Sequence, residues 1–245
     1  MENLKFFLTC LGVFAAIVVI AAIFEKLFYK NRKAFLSTHY ISYTAIFACM
    51  AGILMCIEIP LFFAPSFYKL DISELPVLIC TFYLGPVSGV FCELLKVMIK
   101  LLLKGTSTAF VGDFANFAVG CSFILPASFI YHAKPGKRSA IIGMIVGTLV
   151  MSVVGSAFNA LYLIPKFAQL FKMPIDVIIG MGTAVNKHII DVSTLVLFAV
   201  VPFNLVKGFI VSLLTILLYK RISPILHKAD NKKKDRNSKV QEDSV

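Results

Sequence analysis

Apolar residues run along this chain in long blocks at 4–27, 38–63, 87–104, 109–131, 139–162 and 202–222, with a shorter one at 76–84 that ends at Gly85-Pro86. Polar and apolar positions do not alternate inside the blocks, as they would in the strands of a membrane barrel. A run of 18 or more apolar residues, rising about 1.5 Å per residue, crosses the ~30 Å hydrocarbon layer as a helix. The pattern therefore predicts an all-α integral membrane protein. The block 76–84 is too short to span alone, so its backbone must be covered by protein or must line a cavity. The segments 64–76, 105–108 and 163–200 separate the outer ends of these helices, and Pro202 is expected to mark the entry to the last one.

Composition agrees with the pattern. Hydrophobic residues make up 59% of the 245-residue chain and charged residues 15%, against about 45–50% and about 25% in a soluble domain. The net charge of +11 comes from basic loops and a basic tail and is no sign of nucleic-acid binding. Lys26, Lys30, Arg32 and Lys33 precede the block at 38–63, Lys134, Lys137 and Arg138 the block at 139–162, and the tail carries basic residues from Lys220 onward. Placed on the cytoplasmic side, these clusters put the C-terminus inside a cell membrane and the N-terminus outside. The connections 64–75, 105–108 and 163–200 then face outward. The first block has only Lys5 as a charged leader and no A-x-A site, so it is expected to be a retained helix rather than a signal peptide. The expected organisation is an additional helix and basic loop at 1–33, a membrane domain at 34–226 and a charged tail at 227–245 without a packed core.

Candidate chemistry is sparse. No Walker A loop, H-E-x-x-H, G-x-S-x-G or dinucleotide fingerprint occurs, so the chain does not read as an enzyme. The six cysteines lie in apolar blocks without C-x-x-C spacing and the four histidines are scattered, so no metal site is expected. Three polar groups occupy costly places. "YKLDISELP" (68–76) offers Asp71, Ser73 and Glu74 in an outer loop. "FNALYLIP" (158–165) sets Asn159 and Tyr162 one turn apart at an outer helix end. "VPFNLVKGF" (201–209) buries Asn204 and Lys207 on one helix face, deeper than a snorkelling lysine reaches. Together they describe an outward-facing cavity with a few polar groups in an aromatic and aliphatic wall. Asp113 and Asn116, in "GTSTAFVGDFANF", read as helix packing in preference to ligand contact. Thr44, Ala48 and Gly52, with Ala45 beside them, form a small-residue stripe that suits either packing within the chain or docking of a second membrane protein.

The segments "KLDISELP", "LGPVSGVFCELLK", "GTSTAFVGDFANF", "FNALYLIP" and "PFNLVKG", in that order across 38–225, resemble the substrate-binding S component of energy-coupling factor (ECF) vitamin transporters, and within those the riboflavin-specific member. The resemblance implies a six-helix membrane core without ATPase activity. It implies capture of riboflavin from outside as a transported ligand rather than a cofactor, and docking on a T component energised by ATP-binding cassette ATPases. It places the ligand against Leu70, Asp71, Asn159, Asn204 and Lys207, and the docking surface at Thr44, Ala45, Ala48 and Gly52. FMN, thiamine or a nucleobase are the other ligands such a component could take. The chain departs from the pattern in its extra helix 4–27 and its long external stretch, where "MPIDVIIGMGTAVNKHIID" is expected to form a partial lid or an additional helix.

Overall fold

The computed structural model describes residues 2–28, 37–65 and 68–218. The basic residues Lys30, Arg32 and Lys33, and the tail from Lys220, lie outside the described residues.

Helix α1 spans Glu2–Phe28 and α2 spans Thr38–Met55. α2 stops eight residues short of the expected 63. The Cys56 amide turns back onto the carbonyls of Ile53 and Leu54, and Pro60, which has no amide hydrogen, sits in a short strand instead. That strand, β1 (Ile59–Pro60), pairs antiparallel with β2 (Lys69–Leu70) in the register Ile59 to Leu70 and Pro60 to Lys69. The ladder ties down the loop between α2 and α3.

Helix α3, Glu74–Leu84, begins two residues before the expected block because Pro76 is tolerated in a first turn. Its 11 residues reach only about 16 Å, half a bilayer. It ends at Gly85, whose φ of 108° favours glycine, and Pro86 opens α4 (Pro86–Lys104). α5 (Val111–Ala133) and α6 (Lys137–Phe158) follow. α5 packs along α6, and α2 along α4, and α3 lies among α2, α4 and α5.

α1 covers the back of α4 and α5. Phe14 meets Phe91 of α4 and Phe117 of α5, and Phe24 stacks on Phe129 with ring centroids 3.9 Å apart. Contacts from Phe14 to Phe117 and from Phe24 to Phe129 mean that α1 runs in the same direction as α5.

The small-residue stripe packs within the chain. Thr44, Ala48 and Gly52 are buried within the chain, and a Cβ on Gly52 would lie 2.6 Å from the Ile99 side chain of α4. These three residues let α2 approach α4 closely. Only Ala45 of the four is exposed, beside Ile46, Cys49 and Met50.

The mixed stretch holds more helix than the sequence pattern suggested. α6 passes through a π turn at Asn159–Leu163 into α7 (Ile164–Leu170), and α8 (Ile175–Thr183) supplies the additional helix expected there. The last helix, α9, starts at Val192 under a capping box made by Asp191 and Thr194, passes a π turn at Val196–Val200, and runs on to Leu218. Pro202 therefore lies inside α9 and does not mark its entry. The π turn loosens the backbone ladder just ahead of the residue that cannot donate to it.

Candidate functional site

The two π turns contact each other. Between them, α3, α4, α5 and the loop enclose a cavity of about 570 Å³, within the range of small-molecule sites. Its lining includes apolar and aromatic side chains, with Met151, Leu163, Phe167, Met181, Val200 and Phe203. Polar side chains are set among them, with Asp71, Glu74, Asn116, Asn159, Asn204 and Lys207.

Four of the five candidate ligand residues thus meet on one cavity. Leu70 does not join them. It packs with Ala64, Tyr68, Val200 and Phe203 in a small apolar cluster that anchors the loop. Asn159 opens the first π turn and Asn204 follows the second by four residues, and both line the cavity. Gly155 completes the fit: a Cβ there would come 2.8 Å from the Asn204 amide nitrogen.

Lys207 is buried and donates to Asp71 Oδ2 at 3.0 Å, with Glu74 Oε1 at 3.6 Å. Tyr68 donates its hydroxyl to Asn159 Oδ1 at 2.7 Å, and the Asn159 amide donates to the Gly155 carbonyl at 2.8 Å. Two polar latches therefore fasten the loop, one to α9 and one to the π turn after α6. Asp71 also accepts from the Ser73 amide at 3.0 Å and from the Ser73 hydroxyl. Burial alone would push the Asp71 carboxyl up, but the Lys207 and Lys96 ammonium groups and the Ser73 hydrogen bond outweigh it and hold it at about 2. Burial pushes the Tyr68 phenol up, so it remains a donor. Asn204 differs from its neighbours: it is buried to 4% exposure, yet among the described residues no hydrogen bond to its side-chain amide is made. A buried amide without a protein partner, facing a cavity, is a group prepared for a ligand.

Much of the polar lining was overlooked in the sequence pattern. Lys96 donates to Glu74 Oε1 at 2.8 Å and to Asn116 Oδ1 at 3.2 Å, and pairs with Glu93 at 2.5 Å. One turn further along α4, Lys100 donates to Asp113 Oδ1 at 2.6 Å, and Thr106 donates to Asp113 Oδ2 at 2.6 Å. Asp113 is thus an ion-paired residue of the cavity wall and not merely a packing residue. At the rim, Glu58 accepts from Lys69 and from Lys104, each at 2.8 Å. The signal was present in "CELLKVMIKLLLK": Glu93, Lys96 and Lys100 recur at three- and four-residue spacing on one face of an otherwise apolar helix. An ionisable stripe inside a membrane marks a cavity or a buried partner.

These features define an all-helical membrane protein with a ligand-sized cavity open at the ends of its helices. The sequence profile of the ECF transporter, substrate-specific component, matches residues 6–219, and the chain belongs to this family. The riboflavin transporter RibU of Staphylococcus aureus (strain TCH60) is 35% identical over 182 residues, covering 74% of this chain and 89% of that protein. The riboflavin transporter FmnP of Bacillus subtilis (strain 168) is 24% identical over 181 residues, covering 74% and 90%. The solved S component of a bacterial ECF transporter matches with a TM-score of 0.60 at 33% identity, over 77% of this chain and 97% of that one.

Proposed function

We propose that this chain captures riboflavin from the outer face of the cell membrane and delivers it to a T component driven by ATP-binding cassette ATPases. In this reading the N-terminus lies outside and the C-terminus in the cytoplasm. The observation that carries the proposal is a cavity lined by both apolar and polar side chains, into which the Asn204 amide, without a hydrogen-bond partner among the described residues, projects together with Asn159 and Lys207. Riboflavin has matching parts: a flat tricyclic ring with donors and acceptors along its edge, and a hydroxylated chain. The names of the relatives support the choice of ligand.

The ring lies against Met151, Leu163, Phe167 and Phe203, and its burial contributes about 25 cal/mol per Å² of apolar surface. Asn204 supplies a donor and an acceptor to the ring edge, and Asn159 and Lys207 pair with neighbouring polar atoms. Lys207 has a second task, because its bond to Asp71 holds the loop over the cavity. A site whose buried groups are spent on hydrogen bonds penalises analogues that leave them unpaired. Purified protein from cells grown with riboflavin is expected to be yellow and to release flavin on denaturation. A colourless preparation that also fails to quench the fluorescence of added riboflavin would overturn the proposal.

A further inference from the structure

The α4–α5 end of the cavity carries a second group of buried polar residues with no role in the account above. Lys100 and Asp113 line the cavity together with Ser107, Thr108 and Asn116, and are 8% and 4% exposed. Asp113 is held from two sides, by the Lys100 ammonium and the Thr106 hydroxyl. The pair lies one helical turn along α4 from Lys96 and one along α5 from Asn116, on the side of the connection 105–110.

We infer that Lys100 and Asp113, flanked by the hydroxyls of residues 106–108, form a subsite for an uncharged polyol chain and select against a phosphate monoester at its end. This rests on the riboflavin reading and assigns the residues that distinguish riboflavin from FMN. Each hydroxyl of a polyol is both a donor and an acceptor, and the Lys100–Asp113 pair presents an acceptor and a donor side by side. The Asn204 amide already offers a donor and an acceptor to the ring edge, which leaves the Lys100–Asp113 pair to the chain of neighbouring hydroxyls. Charge sets the second half of the inference. Asp71, Glu74, Glu93 and Asp113 stand in or directly behind the polar lining against Lys96, Lys100 and Lys207, and each of these lysines is matched to a carboxylate at 3.0 Å or less. A dianionic phosphate entering here would meet the Asp113 carboxylate and no surplus ammonium. The rim lysines Lys69 and Lys104 share Glu58, but they are 47% and 44% exposed, so solvent and salt screen them.

The test compares riboflavin, FMN and lumiflavin (the same ring with a methyl group in place of the chain) by fluorescence quenching on three proteins: the unaltered chain, Asp113→Asn, and the double variant Lys100→Met/Asp113→Leu. The double variant replaces a buried ion pair with apolar groups of similar size, which membrane interiors and protein cores tolerate, and its lumiflavin binding reports an intact site. The expected results are threefold. The unaltered chain prefers riboflavin to both analogues. Asp113→Asn raises FMN affinity relative to riboflavin by about tenfold or more. The double variant keeps lumiflavin affinity and loses most of its preference for riboflavin over lumiflavin. Equal loss of riboflavin and lumiflavin, an unchanged FMN-to-riboflavin ratio in Asp113→Asn, or no preference over lumiflavin in the unaltered chain would overturn the subsite while leaving riboflavin as the ligand. Failure of the unaltered chain to bind any of the three flavins would overturn both readings.

Discussion

A lysine inside a membrane helix is costly unless its charge is matched, and Lys207 is matched twice, by Asp71 at 3.0 Å and Glu74 at 3.6 Å. Its substitution therefore removes a ligand group and a loop latch together. Lys207→Ala is expected to weaken riboflavin binding by at least about 1–2 kcal/mol, measured by fluorescence titration; an unchanged affinity would exclude Lys207 from the site. The double-mutant cycle with Asp71→Asn separates the two tasks. If the latch accounts for part of the loss, the two effects are less than additive. Gly155 gives an independent check. An alanine there forces the Asn204 amide to move, so Gly155→Ala is expected to cost riboflavin affinity about tenfold while leaving protein yield and melting temperature close to the unaltered values. Full affinity in Gly155→Ala would mean that Asn204 does not contact the ligand.

Among the elements, the long helices and their order were legible in the sequence because apolar runs of membrane length have few alternative structures. The candidates Asp71, Asn159, Asn204 and Lys207 were legible for a related reason, since polar groups stand out at helix ends and inside an apolar block. Three features escaped that kind of reading. The ionisable face of α4 was hidden because Glu93, Lys96 and Lys100 are diluted by the leucines around them, and only their helical phase reveals a common face. The π turns have no composition of their own, so α9 starts ten residues before Pro202. The stripe at Thr44, Ala48 and Gly52 specifies close approach but not which helix approaches, and the chain supplies α4 itself. The entry to α9 depends on the Asp191 box, in which Thr194 donates its amide to the Asp191 carboxylate at 2.6 Å. Asp191→Ala is expected to destabilise the start of α9 by about 1 kcal/mol, visible as faster backbone amide exchange over residues 192–196 than in the unaltered chain; equal exchange would show that tertiary packing alone holds this turn.

For the whole molecule, the governing feature is that charge is matched where water is scarce. The Asp71 carboxyl is held at about 2, below its ordinary value near 3.9, so it is bound in its charged form across the physiological range. The sign follows from the depression: the contribution of the Asp71 latch is fully present above about pH 4 and is lost as pH falls toward 2. The groups facing it are the Lys207 and Lys96 ammonium groups, the Ser73 hydroxyl and amide, and the Glu74 carboxylate across Lys207. The loop therefore stays latched, and riboflavin affinity is expected to be constant between pH 5 and pH 8 and to fall only below about pH 4. Titrations of riboflavin at four or five pH values across that window provide the measurement. A change of more than about threefold between pH 5 and pH 8 would mean that the latch is set by a group that titrates near neutrality and not by Asp71.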